Sequence, residues 1–140
     1  MAGEGAEKKY KIFIVDDDKF LLDMYSMKFT ENRFDVEIAF GSMEALGKLE
    51  GGAMPDIILL DIVMPTMDGF ELLAEIKKRK LAENAVIIIL SNLGQQEDIE
   101  KGVQLGADGY IIKASSTPTE VVNKVLEISK AKTPPGGAAR

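Results

Sequence analysis

Ile57-Ile58-Leu59-Leu60-Asp61 is an apolar run that ends on a carboxylate. A run of about four to eight apolar residues bounded by turn signals marks a strand buried on both faces. Pro55 and Asp56 open this one. Met64-Pro65-Thr66-Met67-Asp68-Gly69 closes it with a proline and an Asp-Gly pair, both turn chemistry. Asp61 therefore falls at the carboxyl end of a central strand, the edge at which open α/β sheets bind ligands. Taken alone, it reads equally well as a solvated strand-end Asp. Its companions decide the matter.

Outward from that strand, the chain alternates. Lys11-Ile12-Phe13-Ile14-Val15 is a β-branched first strand, and Asp16-Asp17-Asp18 follows at once. The acidic run suits the positive end of a helix expected from about Lys19 to Thr30. Phe34 to Ala39 alternates apolar with acidic residues, as a half-exposed edge strand does. Ser42 is expected to cap a second helix with Met43, Leu46 and Leu49 inward, ended by Gly51-Gly52. Phe70 to Lys80 reads as a helix with Leu72, Leu73 and Ile76 inward and a basic last turn. Ala85 to Leu90 is a second fully apolar strand, with Ser91-Asn92 at its end. Gln95 to Leu105 is a weak helix, with Ile99 and Val103 expected inward and Gly102 inside it. Tyr110-Ile111-Ile112 is a short last strand ended by Lys113. Pro118 opens a helix that turns Val121, Val122, Val125 and Ile128 inward. Residues 1–9 read as a loose arm and 133–140 as a tail, leaving one domain over 10–132.

Strand and helix thus alternate five times, which calls for a parallel sheet with right-handed crossovers and helices on both faces. The edge-like second strand and the strongly apolar others fit strand order 2-1-3-4-5.

Composition narrows the chemistry. The 140 residues suffice for one substantial core. Lys and Arg number 17 against 23 Asp and Glu, a net charge of -6, which disfavours binding to nucleic-acid backbones. No apolar stretch is long enough to span a bilayer, and the Met-Ala-Gly-Glu start lacks a signal-peptide pattern, so the cytoplasm is the default location. Cysteine and histidine are both absent. Thiolate metal sites, a cysteine nucleophile and the commonest general base are excluded. Carboxylates, hydroxyls and lysines must do the work.

On the expected sheet, Asp16 and Asp17 follow the first strand, Asp61 the third, Ser91 the fourth and Lys113 the fifth, all on one edge. Carboxylates brought together repel unless a cation sits among them. With oxygen donors alone that cation is hard, and Mg²⁺ (or Mn²⁺) is the first choice. A carboxylate between a hard metal and a lysine can act as nucleophile towards a phosphoryl group.

These residues resemble the receiver domain of two-component response regulators, over essentially Tyr10 to Lys132. The matching pieces are Ile14-Val15-Asp16-Asp17, Leu60 to Gly69 with its Asp-x-x-Met-Pro-x-Met-Asp-Gly run, Ser91, Gly106-Ala107 and Tyr110-Ile111-Ile112-Lys113. The resemblance implies a doubly wound (βα)5, flavodoxin-like domain phosphorylated by a sensor histidine kinase or histidine phosphotransfer protein. It further implies Asp61 as phosphoacceptor, Asp17 as principal metal carboxylate with Asp16 beside it, and the main-chain carbonyl of Val63 as a third ligand. Ser91 and Lys113 would hold the phosphoryl group, and Tyr110 would swing inward with Ser91. The chain departs from the family at Ala114, where proline is usual; a trans bond is expected there, since a cis non-proline bond costs roughly 3 kcal/mol. Val63 and Leu93 are apolar and could shield an acyl phosphate from water, which suggests slow self-hydrolysis.

The expected protein is a stand-alone switch that changes its face of fourth helix, fifth strand and fifth helix, with no nucleic-acid or membrane partner. A fragment of a larger regulator is the alternative. An Asp-nucleophile phosphatase would want an acidic residue where Val63 stands, and a flavin-binding module would not place three aspartates after its first strand. On the first helix, a turn of about 100° per residue puts Leu21, Met24, Tyr25 and Phe29 towards the sheet, with Phe20 and Met27 at one edge of the arc and Leu22 at the other. That arc is wider than core packing requires. Either loops cover the excess, or Phe20, Met24 and Met27 form a patch beside Asp61 that docks a phosphodonor's helices.

Overall fold

The computed structural model describes residues 9–132. Strands and helices alternate as β1 (Lys11–Asp16), α1 (Lys19–Glu31), β2 (Asp35–Phe40), α2 (Ser42–Glu50), β3 (Ile57–Leu60), α3 (Gly69–Lys78), β4 (Val86–Ser91), α4 (Gln96–Gln104), β5 (Gly109–Ile112) and α5 (Pro118–Lys132). A 3-10 turn at Lys113–Ser115 joins β5 to α5. All strand pairs are parallel, in the order β2-β1-β3-β4-β5. The expected doubly wound sheet is therefore present. The residues read as arm and tail lie outside the described residues, apart from Lys9. Among the described residues, no helix is long and apolar enough to cross a membrane.

Every residue of β3 is buried, as the unbroken apolar run requires. Its alternate side chains enter two cores. Ile57 and Leu59 pack with α1 and α5, whereas Ile58 and Leu60 pack with α2 and α3. Full burial of one such side chain contributes roughly 1.5–3 kcal/mol. The strand that leads to Asp61 is thus anchored on both faces, as is β4, whose residues are all buried too. Strand β2 is the half-exposed edge. There Lys48 of α2 donates to the Ile38 carbonyl at 2.7 Å, covering part of that edge.

Three helices differ from their expected orientation or ends. In α1 the buried residues are Leu22, Tyr25 and Phe29, while Leu21 and Met24 are only half-buried. The inward arc is rotated towards Leu22, which joins Tyr25 and Phe29 in one core with Phe34; Phe29 meets Phe34 edge-on at 4.8 Å. In α2 the N-cap is Gly41, not Ser42. Ser42 is the first helical residue and donates its hydroxyl to the Met67 carbonyl at 2.7 Å. Met43 is exposed, and Ala45 takes the inward position beside Leu46 and Leu49. In α4 Val103 is exposed, Ile99 is half-buried and Gly102 is the buried residue. By contrast, α3 and α5 turn inward as expected, with Leu72, Leu73, Ile76, Val121, Val122 and Val125 all buried, although Ile128 is half-buried and Ser129 is the buried residue of the last turns of α5.

Candidate functional site

Parallel register brings the strand-end residues together. Val15 pairs with Leu60, so Asp16, the last residue of β1, and Asp61, the residue after β3, stand side by side at the edge of the sheet. Leu60 pairs with Ile89 and Ser91 with Ile112, which steps Ser91 and then Lys113 slightly higher on the same edge. Carboxylate oxygens of Asp16, Asp17 and Asp61 lie within 4.8 Å of one another. Asp16 and Asp61 are buried, and Asp17 is half-buried.

Lys113 closes the cluster. Its Nζ lies 2.9 Å from Asp16 Oδ2 and 3.4 Å from Asp61 Oδ2. The bond from Lys113 to Ala114 is trans, as expected. Backbone amides add further support: Ile62 N–H donates to Asp61 Oδ1 at 2.7 Å, and Asp18 N–H to Asp16 Oδ1 at 3.0 Å. Asp18 itself caps α1 by accepting from Leu21 N–H at 3.2 Å.

The electrostatics follow from this packing. Burial raises the Asp61 carboxyl above its ordinary value; Lys113 opposes that rise and Asp16 reinforces it. Burial also pulls the Lys113 ammonium down, but the bond to Asp16 and the charge of Asp61 hold it above its ordinary value. Three acidic side chains against one ammonium leave room for a hard cation. The donors are all oxygen, so the buried cluster can bind a metal ion of that kind.

Ser91 is fully buried, and its Oγ accepts from Leu93 N–H at 3.2 Å. Tyr110 donates its hydroxyl to the Leu93 carbonyl at 2.5 Å. The phenol is raised by burial first, then by Asp98 and Asp61, while the neighbouring Ser91 hydroxyl lowers it. Tyr110, Leu93 and Ser91 therefore form one connected group. Val63 lies in the loop after Asp61 with its side chain largely exposed, at 62%.

A family model described as the response regulator receiver domain matches residues 12–126. The chain belongs to this family.

The receiver is 34% identical over 119 residues to the chemotaxis protein CheY of Halobacterium salinarum, covering 83% of this chain and 96% of that protein. It is also 34% identical over 118 residues to the transcriptional regulatory protein PhoP of alkaline phosphatase synthesis in Bacillus subtilis. That match covers 84% of this chain but 48% of PhoP, so the receiver spans about half the length of such relatives. Among solved structures, a CheY-like receiver domain protein from Methanospirillum hungatei superposes with a TM-score of 0.79 at 30% identity, over 89% of this chain and 97% of that one. Receivers of this family are the phosphoacceptors of two-component signalling, and this chain is one.

Two residues that shape the receiver's site carry no chemistry of their own. Gly69, read from the sequence only as part of a turn, is the first residue of α3. A Cβ there would fall 2.1 Å from the Asp61 carbonyl oxygen and 2.7 Å from Ile62 Cα. Helix α3 therefore seats directly on the Asp61–Ile62 backbone, and Gly69 N–H donates to the Ile62 carbonyl at 2.8 Å. The Asp-Gly pair was the available signal, because Asp68 is a helix cap and the next residue begins the helix. The second residue is Gly102 of α4, whose only sequence signal was a glycine inside a helix.

Proposed function

We propose that Asp61 is the phosphoacceptor and that Asp17, Asp16 and the main-chain carbonyl of Val63 hold Mg²⁺ (or Mn²⁺) beside it. The observation that carries this reading is the convergence of a buried Asp61 with two further carboxylates and the Lys113 ammonium. Bound there, the metal would offset charge on the phosphoryl oxygens. An Asp61 oxygen attacks phosphorus in line, the P–O bond forms, and the P–N bond of the donor's phosphohistidine breaks with its electron pair returning to the imidazole. Lys113 then pairs with a phosphoryl oxygen, and Ser91 turns its hydroxyl onto another. Because Leu93 links Ser91 to Tyr110, that movement is passed to the face of α4, β5 and α5.

The donor in this reading is a sensor histidine kinase or histidine phosphotransfer protein, met in the cytoplasm. Phe20 and Met27 are exposed at 75% and 64% on α1, the helix that leaves directly from the aspartate cluster. With half-buried Met24 they form the surface on which the donor's histidine-bearing helices dock; methionine adapts readily at such contacts. The receiver unit spans residues 10–132 and catalyses only its own phosphorylation and a slow self-hydrolysis, with Val63 and Leu93 keeping water from the acyl phosphate.

Acetyl phosphate with Mg²⁺ is expected to add one base-labile phosphoryl group, seen by intact mass. Asp61→Asn abolishes it, while Lys113→Ala is still labelled but gives no conformational response. Labelling of Asp61→Asn to the wild-type extent would overturn the assignment. Phe20→Ala with Met27→Ala slows transfer from the cognate kinase and leaves acetyl phosphate labelling unchanged; equal loss with both donors would assign those residues to the site and not to the partner.

A further inference from the structure

Helix α4 carries a glycine in its interior, where glycine disfavours helix relative to alanine. Gly102 is also the one buried residue of that helix. A Cβ built on it would lie 2.7 Å from Ile89 Cδ1 and 3.3 and 3.4 Å from Cδ2 and Cε2 of the Tyr110 ring. The first distance is closer than real carbon atoms approach, and the others are tight. Ile89 is fully buried in β4, so its methyl group has little room to yield. Tyr110 stands on β5, the edge strand, and is only half-buried. Its ring has somewhere to go.

We propose that Gly102 is the positioning residue that lets α4 close over Tyr110, forming a slot with the helix as roof and Ile89, the register partner of Tyr110 on β4, as side wall. In that slot the Tyr110 ring reaches the Leu93 carbonyl, and Leu93 in turn meets Ser91. A side chain at position 102 wedges α4 away from Ile89 and turns the ring out, so the phenol no longer reports on Ser91. This inference rests on the proposed role of Tyr110 and adds the residue that makes its inward position available.

The test uses fluorotyrosine-labelled receiver and ¹⁹F NMR, with the Tyr110 resonance assigned by Tyr110→Phe. The solvent-isotope shift of that resonance measures ring exposure without any phosphorylation. In Gly102→Ala it should move to the exposed value, while those of Tyr10 and Tyr25 stay in place. Acetyl phosphate should still label Asp61, but the phosphorylation-dependent shift of the Tyr110 resonance should be lost. Adding Ile89→Val removes the atom at the shortest distance and should return the ring towards its wild-type position. A folded Gly102→Ala protein with a wild-type Tyr110 resonance, or with a wild-type response to phosphorylation, would overturn the proposal. Where Gly102→Ala alone does not fold, Gly102→Ala is compared in Ile89→Val and Ile89→Ala backgrounds: ring exposure must fall as the space at position 89 grows, and equal exposure overturns it. If the wild type takes no phosphoryl group, the acceptor reading fails while the ring-position test still stands by itself.

Discussion

Helices α3 and α4 follow the strands that end at Asp61 and Ser91, and they are held in opposite ways. Helix α3 opens with a reciprocal cap: Glu71 N–H donates to Asp68 Oδ1, and Asp68 N–H to Glu71 Oε1, both at 2.9 Å. It then buries Gly69, Phe70, Leu72, Leu73 and Ile76. Helix α4 follows Gln95, which makes no side-chain cap bond, and buries Gly102 alone. A further tie is the Lys101 ammonium, 4.7 Å above the Phe70 ring of α3. The helix after Asp61 is thus fixed by a core, and the helix after Ser91 rests on its surroundings through few buried residues. Elements with few buried apolar contacts open at low free-energy cost. The proposed switch needs that inequality, since under that reading Asp61 keeps its geometry while the neighbouring surface moves.

Truncation of the two helices tests this contrast most severely. Leu73→Ala should lower stability by about 2–5 kcal/mol, as for large-to-small changes in a closed core. Ile99→Ala in α4 should cost about 1 kcal/mol or less. Urea unfolding of both variants checks the ranking, and equal losses would remove the distinction between the helices.

A smaller effect is expected at the acidic cluster. Burial, with Asp16 adding to it and Lys113 opposing it, raises the folded-state Asp61 carboxyl above the ordinary value of 3.8. The native state therefore binds more protons than the unfolded chain, and stability falls as pH rises from near 3.8 through the folded-state value. In chelator-treated protein, Asp61→Asn should be more stable than wild type at neutral pH, with the gain vanishing below about pH 3.8. Millimolar Mg²⁺ should raise the wild-type melting temperature, and Asp17→Ala should abolish that rise. Thermal melts with and without chelator decide the point; no gain in the Asp61→Asn melt would show that the carboxylate is not strained by its surroundings.

The smallest effect belongs to the tie between the helices. Lys101→Met removes the cation over Phe70, worth about 0.5–1 kcal/mol at an exposed position. Hydrogen exchange should quicken in α4 and stay unchanged in α3. Faster exchange in both would mean that the helices open as one unit.

The strands and the chemistry of their ends were legible in the chain because both are local properties. An apolar run bounded by turn residues declares a buried strand wherever it stands, and Asp61, Ser91 and Lys113 are each the next polar residue after such a run. Parallel pairing then carries them to one edge with no further information. Side-chain orientation on the helices is a different matter. Periodicity ranks residues by their apolar character, so it placed Val103 and Met43 inward and passed over Gly102 and Ser42. What decides burial at those positions is the partner. Gly102 lies inward because Ile89 and the Tyr110 ring leave no space for a side chain, and Ser42 because the Met67 carbonyl awaits its hydroxyl. Gly69 follows the same rule against the Asp61 backbone. A close approach between elements is a property of two distant stretches at once. The sequence alone determined which residues this receiver places at the edge of its sheet, whereas only the tertiary structure decided how tightly each helix closes over them, since steric exclusion acts between atoms that the chain order does not bring together.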